Sequence, residues 1–291
     1  MENSKVNLFI VGAMKAGTTS FSDMLAQHPD IYMSPIKEPH YFIDSLPKNL
    51  YEPSRFFNLN HYFKNDFPKP HHIAKIDKDA HYEKLFSLKN GQKYLLDSST
   101  CYLTAPESSQ MIYNYNPDAK IIIIRRNTID RAYSHYNMDL ALGRTINSFE
   151  KIINDEIEEY EKGSLQWNSY LGMGFYKNPI VKYKALFKNN VLIIDFESFK
   201  NIELLLADVF HFLEIQPQNI SMPIKNQGRR LKAQKLFFVL KKLGLKDYFS
   251  SFFGTDIKHK VFKFMSTSKK GKLILSDNTL KKLNGIIKEN N

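Results

Sequence analysis

One lysine lies inside a glycine-bounded loop near the start of the chain, where a phosphate group could bind. The loop runs from Gly12 to Gly17, between an apolar segment and an amphipathic one. The free N–H groups and the dipole of a helix N-terminus attract anions at such a place. The glycine spacing is that of the loop G-x-x-x-x-G-K-S/T, yet Thr18 and Thr19 follow Gly17 and the lysine, Lys15, lies within the loop. The sequence therefore predicts a phosphate site that differs from the nucleoside-triphosphate loop.

A second pair of residues that could bind an anion follows the apolar segment Lys120–Arg125. Arg126 and Ser134 are eight positions apart, and the sequence between them is typical of a helix. An arginine at a strand end and a hydroxyl two helical turns later can converge on one anion. Arg131 lies between them at a spacing that would suit a surface position or a structural ion pair. The pair predicts a second phosphate contact.

Strands and helices must hold these loops in place, and the apolar pattern predicts where they lie. Short apolar runs between turn residues are typical of parallel strands that are buried on both faces. Because helix-like segments alternate with these runs, we expect an α/β fold, a single domain with a P-loop-like parallel sheet flanked by helices. The predicted strands are Asn7–Gly12, Lys93–Asp97, Lys120–Arg125 and Asn190–Asp195. The predicted helices are Thr18–Gln27, Ala105–Tyr115, Ile129–Leu142, Asn147–Lys162, Pro179–Lys188 and Phe199–Leu213.

The net charge of +11 is concentrated in the last part of the chain. Residues 229–291 contain 16 Lys and Arg against 4 Asp and Glu, so the first 228 residues are close to neutral. This distribution argues against a uniformly basic nucleic-acid-binding protein. We expect an α/β domain over residues 1–230 and a helical basic segment over residues 231–291 that packs on the same domain. Its basic helices would also suit a peripheral contact with an anionic membrane.

Cysteine content and the N-terminal sequence bear on the cellular compartment. The chain has one cysteine, Cys101, which excludes a disulfide framework and fits a reducing compartment. The apolar run Asn7–Met14 is too short for a signal peptide or a membrane span. We therefore expect a cytoplasmic protein, in which Cys101 is a small core residue rather than a nucleophile.

Several short motifs follow one another between Gly12 and Phe42. They comprise Lys15, Gly17, Thr18 and Thr19 in the loop, then His28-Pro29, then Lys37-Glu38-Pro39-His40-Tyr41-Phe42. This order resembles the opening of the sulfotransferases that use 3′-phosphoadenosine 5′-phosphosulfate (PAPS), above all the branch of the heparan sulfate sulfotransferases and their bacterial relatives. In that family a loop P/A-x-K-x-G-T-T precedes a helix, a His-Pro pair and a Lys-Glu-Pro-x-x-Phe segment. The resemblance implies transfer of a sulfuryl group from PAPS to a hydroxyl or amine of a glycan or glycolipid, with release of adenosine 3′,5′-bisphosphate.

The resemblance also implies roles for individual residues. Lys15 would balance charge on the departing bisphosphate, Glu38 would be the general base, and His40 would be the competing base or a ligand of the acceptor. Arg126 and Ser134 would bind the 3′-phosphate, although Thr128 replaces the proline of the family pattern R-x-P-x-x-R-x-x-S. The residues expected to bind the donor are Lys15, Ala16, Gly17, Thr18, Thr19, Ser20, Arg126, Ser134, Gly228 and Arg229.

Two other features affect this interpretation. Asp97 and Ser98 stand where the family has a Glu-Lys pair beside the acceptor, so the acceptor contacts of the heparan enzymes do not transfer directly.

We expect no metal ion: the histidines His71, His72 and His81 fit no standard zinc spacing and are interpreted as solvated loop residues. The expected partner is an acceptor, either a small molecule or a glycan, and no nucleic acid. The alternatives are a P-loop small-molecule kinase and a non-catalytic nucleotide-binding protein.

Overall fold

The computed structural model of the chain describes residues 5–54, 57–221, 230–231, 238, 266–267 and 273–291. Its strands are β1 (Leu8–Gly12), β2 (Ile31–Met33), β3 (Ile36–Glu38), β4 (His71–Ile73), β5 (Tyr94–Asp97), β6 (Lys120–Arg125), β7 (Val191–Asp195), β8 (Arg230–Leu231) and β9 (Ser266–Thr267). Its helices are α1 (Thr18–Leu25), α2 (Leu59–His61), α3 (Asp79–Leu85), α4 (Ser108–Tyr115), α5 (Thr128–Ala141), α6 (Phe149–Glu161), α7 (Lys177–Phe187), α8 (Ile202–Leu213) and α9 (Asp277–Asn290).

A parallel sheet of five strands, in the order β2-β5-β1-β6-β7, forms the centre of the fold. Every residue of β1 is buried, as are the four isoleucines of β6, because helices cover both faces of the sheet. The expected α/β fold with a parallel sheet flanked by helices is confirmed, and the four predicted strands are β1, β5, β6 and β7. The fifth strand, β2, was not expected from the sequence.

The carboxyl ends of the central strands meet at one edge of the sheet. Phe9 of β1 lies beside Asp97 at the end of β5, and Gly12 lies beside Ile123 of β6. The short parallel pair β3-β4 brings Glu38 towards the same region, because Thr100, just beyond β5, is hydrogen-bonded to the Glu38 side chain. In open α/β sheets ligands bind outside the carboxyl ends of the strands. The loops that carry the predicted site therefore emerge where a ligand is expected.

The helix α5, which carries Ser134, begins at a side-chain cap. The Asn127 side chain accepts a hydrogen bond from the backbone N–H of Asp130 at 3.1 Å. An asparagine cap satisfies one of the free N–H groups of the first turn. This cap ends the strand-to-helix connection two residues after β6 and fixes where α5 starts, although the proline of the family pattern is replaced by Thr128.

The last helix, α9, packs on α6 in a separate apolar cluster. Phe149, Ile153 and Ile157 of α6 share this cluster with Leu283 and Ile286 of α9. The helical basic segment expected over residues 231–291 is described only in part, and β8 and β9 form a short antiparallel pair within it and at its border. Within the described part of the chain, no helix has the length and apolar character needed to cross a membrane.

Candidate active site

A cleft of about 440 Å³ opens at the carboxyl edge of the sheet and contains most of the predicted site residues. Loops after β1, β3, β5, β6 and β7 contribute to it, together with one face of α5. The predicted residues that line it are Lys15, Gly17, Thr18, Thr19, Ser20, Glu38, His40, Arg126 and Ser134. The structure thus brings together residues that are up to 119 positions apart in the sequence.

The glycine-bounded loop turns sharply before α1. Lys15 and Gly17 have φ angles of 69° and 84°, and Gly17 is the N-terminal cap of α1. A Cβ on Gly17 would lie 3.1 Å from the ring of Phe196, so glycine suits this position for its conformation and for space. The first N–H groups of a helix have no partner within the helix, so this turn directs free donors into the cleft. Ala16 differs from the other predicted loop residues, because it is buried and its N–H donates to the carbonyl of Ala13 at 3.1 Å.

The side chain of Lys15 lies in a sheltered part of the cleft. Its Nζ is 3.8 Å from Sδ of Met138 on α5. Burial lowers the pKa of Lys15, and the neighbouring Arg126 guanidinium lowers it further, while Glu38 opposes this effect. A partly desolvated ammonium interacts more strongly with an anion than a solvated one does. Lys15 is therefore placed to act on a phosphate or sulfate group in the cleft.

Arg126 is held by two contacts that leave part of its guanidinium directed at the cleft. Its Nη1 donates a hydrogen bond to the backbone carbonyl of Lys15 at 2.9 Å, and the guanidinium carbon lies 4.7 Å from the centre of the Phe196 ring. The neighbouring Arg125 points elsewhere and forms an ion pair with Asp195 at 2.5 Å. The two consecutive arginines thus have different surroundings, and Arg126 is the one that shares the cleft with Ser134.

Glu38 is a buried carboxylate with three polar neighbours. Its Oε1 is 3.0 Å from Nζ of Lys37, and its Oε2 accepts a hydrogen bond from Oγ1 of Thr100 at 2.8 Å. Nε2 of His40 lies 3.3 Å from the same Oε2, outside hydrogen-bond geometry. Burial alone would raise the pKa of Glu38, but the Lys37 ammonium and His40 hold it well below its usual range. Glu38 is therefore ionised at neutral pH and can accept a proton.

His40 adopts an unusual backbone conformation beside this carboxylate. Its φ angle is 46° and its side chain is fully buried. The backbone N–H of His40 donates to Oγ of Ser99 at 3.2 Å, and the His40 ring lies edge-on to that of Tyr102. Non-glycine residues adopt positive φ only where the surroundings favour it. Residues of the loop after β5 therefore fix the position of His40, which could compete with Glu38 as a base.

Asp97, which replaces the glutamate of the family motif, is the centre of a buried hydrogen-bond network. Ser99 donates to its Oδ1 at 2.7 Å, and Tyr82 and Tyr102 donate to its Oδ2 at 2.9 and 3.0 Å. Burial raises the pKa of Asp97 to about 6, although the three hydroxyl donors oppose that effect. Asp97 does not line the cleft, so any effect on chemistry must pass through its partners.

Other residues that the sequence singled out have various surroundings. Arg131 is fully buried, so it is not a surface residue, and its Nη2 donates to the carbonyl of Tyr170. No ion pair of Arg131 with a carboxylate is found among the described residues. Cys101 lines the cleft but is buried, and burial raises the pKa of its thiol. Gly228 and Arg229 lie outside the described residues.

The three histidines considered for a metal site have separate environments. His71 stacks on Phe57 at a ring distance of 4.3 Å, and His81 stacks on Phe63 at the same distance, so these two are packed on aromatic rings rather than only solvated. His72 lines the cleft and is exposed. Among the residues that the structure describes, no group of three His, Cys, Asp or Glu side chains is arranged to hold a metal ion.

Several cleft residues were not identified as site residues from the sequence. Phe196 and Phe199 follow β7, while Met138 and Arg144 lie on and just beyond α5. They belong to no motif, and their shared location depends on how distant elements pack. One signal was available: apolar residues directly after a strand at the carboxyl edge of the sheet are placed to contact a ligand.

Comparison with known proteins agrees with this geometry. A sequence model described as "Sulfotransferase family" matches residues 7–216. Carbohydrate sulfotransferase 15 of Mus musculus is 22% identical over 247 residues, which cover 72% of this chain and 44% of the mouse protein. The bifunctional heparan sulfate N-deacetylase/N-sulfotransferase 4 of Mus musculus is 28% identical over 222 residues, 72% of this chain and 22% of that protein. The match thus covers less than half the length of either relative.

A solved structure extends the likeness over nearly the whole chain. The crystal structure of a sulfotransferase from Alicyclobacillus acidocaldarius superposes with a TM-score of 0.60 at 25% sequence identity. The alignment covers 98% of this chain and 96% of that one. The sheet and its helices are therefore shared with a protein of similar length.

Proposed function

Because the chain belongs to the sulfotransferase family, we propose that it transfers a sulfuryl group from PAPS to a hydroxyl or amine of an acceptor. The observation that carries this proposal is that two kinds of groups line one cleft. Lys15, Arg126 and Ser134 provide the groups that would bind the donor, and Glu38 and His40 provide groups that could accept a proton. The names of the relatives fit a carbohydrate acceptor, and the acceptor class that we propose is a glycan or glycolipid.

The donor half of the cleft suits a nucleotide with two phosphate groups. The first turn of α1, with Thr18 and Thr19, would bind the 5′-phosphate through N–H and hydroxyl donors. Arg126 and Ser134 would bind the 3′-phosphate, since a guanidinium held in a fixed orientation binds an anion with little loss of conformational entropy. The rings of Phe196 and Phe199 would offer apolar surface to the adenine ring of the nucleotide.

The reaction needs a proton acceptor and a cation at the leaving group. The acceptor oxygen or nitrogen attacks sulfur in line while the bond between sulfur and the bridging phosphate oxygen breaks, and the electron pair of that bond stays on adenosine 3′,5′-bisphosphate. Lys15 would stabilise the negative charge that develops on this oxygen, and Glu38 would take the proton of the attacking group. Glu38 is ionised in the structure, which is the protonation state that a general base requires.

The protein supplies position and electrostatics in this mechanism. Holding two reactants in line can supply a large part of a rate enhancement, because the entropy of bringing them together has been lost on binding. The displaced lysine argues against a P-loop kinase: that loop requires lysine directly after the second glycine, where this chain has Thr18.

The first test compares ligand binding to the folded protein by thermal unfolding. A ligand that binds only the folded state raises the melting temperature as its concentration increases. We expect stabilisation by adenosine 3′,5′-bisphosphate and none by ATP with magnesium. The reverse result would favour the kinase alternative and contradict the proposal.

The second test measures transfer directly. PAPS labelled with ³⁵S is incubated with the protein and with unsulfated heparosan oligosaccharide, glucosamine or an alkyl glucoside, and labelled product is separated from PAPS. Label in any of these acceptors supports the proposal and identifies its acceptor class. Binding of the bisphosphate without transfer to any carbohydrate would exclude the glycan acceptors tested, and binding without turnover of PAPS would favour the non-catalytic alternative.

A further inference from the structure

Asp97 accepts hydrogen bonds from three buried hydroxyl groups, and two of these hydroxyls reach the segment that carries the predicted base. Ser99, which donates to Oδ1 of Asp97, accepts a hydrogen bond from the backbone N–H of His40 at 3.2 Å. Tyr102, which donates to Oδ2, accepts a hydrogen bond from the N–H of Phe42 at 3.3 Å. One carboxylate is thus connected to both ends of the turn from His40 to Phe42.

The third hydroxyl provides an internal comparison. Tyr82 donates to Oδ2 of Asp97 from α3, with the same burial as Tyr102 and a similar distance. Its ring stacks on that of Tyr41 at 4.1 Å, but no described hydrogen bond joins its hydroxyl to the backbone of the turn. The Tyr102 hydroxyl therefore connects Asp97 to the turn by a described hydrogen bond, and the Tyr82 hydroxyl does not.

The turn is held on its other side by the strand pair β3-β4. The N–H of Ala74 donates to the carbonyl of Glu38 at 3.0 Å, and the N–H of Ile76 donates to that of Pro39 at 3.0 Å. These bonds fix the backbone of Glu38 and Pro39 but do not extend to His40. The conformation of His40, with its positive φ angle, thus depends on the side that faces Asp97.

From this geometry we infer that Asp97 is a positioning residue for sulfuryl transfer, which places His40 beside Glu38 by fixing Ser99 and Tyr102; the inference rests on the proposed function. Only a carboxylate can accept all three bonds without a change of orientation. An asparagine has one acceptor oxygen and an NH₂ group that only donates. Its NH₂ group would face either Ser99 or the two tyrosines, and at least one hydroxyl would have to turn away from residue 97.

Four variants test this inference in the full-length protein: Asp97→Asn, Ser99→Ala, Tyr102→Phe and, as the matched control, Tyr82→Phe. The turnover number and KM for transfer from PAPS are measured with whichever carbohydrate probe above is turned over, and the affinity for adenosine 3′,5′-bisphosphate is measured in parallel. We expect Asp97→Asn to lower kcat about 10- to 100-fold, the scale of a small misplacement of a reacting group. Bisphosphate affinity should stay within about twofold in all four variants, because no described hydrogen bond joins the network to Lys15 or Arg126. Tyr82→Phe should retain most of the activity.

A second measurement reports the position of the turn without relying on turnover. The imidazole signals of His40 in ¹H–¹⁵N spectra should shift in Asp97→Asn, Ser99→Ala and Tyr102→Phe and stay unchanged in Tyr82→Phe. Equal losses of kcat in Tyr82→Phe and Tyr102→Phe, or wild-type kcat in Asp97→Asn, would overturn the inference. If the wild-type protein binds the bisphosphate but turns over no PAPS, the proposed function fails; unchanged His40 signals in Asp97→Asn would then overturn the positioning role separately.

Discussion

The guanidinium of Arg126 donates a hydrogen bond to the backbone carbonyl of Lys15 at 2.9 Å, although the two residues are 111 positions apart. The loop after β1 and the loop after β6 are thereby joined at the point where the donor phosphates would bind. An arginine in this position fixes the loop backbone and offers its remaining N–H groups to a ligand. The bond also links the two halves of the predicted donor site.

We predict that Arg126→Ala weakens the binding of adenosine 3′,5′-bisphosphate about 10- to 150-fold, because a hydrogen bond to a charged group contributes about 1.5–3 kcal/mol. Isothermal titration calorimetry measures this change. Arg125→Ala is the matched control, since Arg125 forms an ion pair with the exposed Asp195 outside the cleft. Equal weakening in both variants would mean that general positive charge, and not the placement of Arg126, accounts for the affinity.

Lys15→Met is predicted to lower kcat by about 100-fold or more, the effect of removing one preorganised donor from a transition state. Methionine is unbranched and only one heavy atom shorter than lysine, so the change chiefly removes the ammonium. The affinity for the bisphosphate should fall less than kcat does. Steady-state kinetics with a saturating acceptor give the answer, and turnover near that of the wild type would remove Lys15 from the mechanism.

Glu38→Gln should leave bisphosphate binding intact and reduce transfer by about 100-fold or more, in the range that general bases contribute. Thr100→Val keeps the carboxylate but removes the hydrogen bond to Oε2, and should have a smaller effect in the same direction. The two variants are compared by kcat and by thermal stabilisation with the bisphosphate. If Glu38→Gln loses the stabilisation instead, Glu38 has a structural role in the donor site.

Gly17→Ala should impair both stability and donor binding. Alanine in the left-handed region costs about 1–2 kcal/mol, and its Cβ would in addition press on Phe196 at 3.1 Å. Gly91→Ala is a control with nearly the same φ angle, 79°, and no neighbouring atom within 4 Å of the added Cβ. Chemical denaturation should show a larger loss of unfolding free energy for Gly17→Ala, and bisphosphate binding should weaken only there.

The buried network predicts a particular dependence of stability on pH. The pKa of Asp97 is raised to about 6 in the folded protein, above its ordinary value of 3.8. The folded state therefore binds a proton more tightly at Asp97 than the unfolded chain does, and this group adds stability as the pH falls from about 7 towards 4. Relative to Asp97→Asn, the wild type should gain about 2 kcal/mol of unfolding free energy over that interval, since the gain is about 1.4 kcal/mol per pH unit only between the two pKa values.

Urea denaturation of both proteins between pH 4.5 and 7.5 measures this difference. The groups that face Asp97 are His40, Tyr82 and Tyr102, with Tyr115 and Tyr183 farther away, and all of them are present in both proteins. The comparison therefore isolates the contribution of residue 97. A difference that stays constant with pH would show that Asp97 titrates normally.

The long apolar runs were the part of the fold that sequence could predict. Four strands have a clear pattern in the sequence: β1, β5 and β6 each contain four or more consecutive buried residues, and β7 lies between clear turn signals. In contrast, β2 has only three residues, between His28-Pro29-Asp30 and Ser34-Pro35. A strand that short has no periodicity to detect. Its partner in the sheet is β5, more than 60 residues later, so its pairing depends on contacts that no local pattern encodes.

The part of the candidate site that could be predicted consists of residues whose types and spacing form recognisable motifs. Lys15, Arg126 and Ser134 lie in motifs, and the structure places all three in one cleft. Phe196 and Arg144 lie in no motif. The role inferred for Asp97 could not be predicted either, because its three donors come from two separate elements, α3 and the loop after β5.

The last helix affects where a stable fragment of this protein could be cut. The side chain of Asn291, just after α9, donates to Oγ1 of Thr128 at 2.7 Å and accepts from the N–H of Tyr176 at 2.7 Å. A chain shortened to residue 216, where the family match ends, would keep all five strands of the main sheet. It would nevertheless lose these bonds at the start of α5 and expose the apolar face of α6, where each large side chain contributes about 1.5–3 kcal/mol when buried. We therefore expect a fragment that ends at residue 216 to be less stable than one that keeps α9.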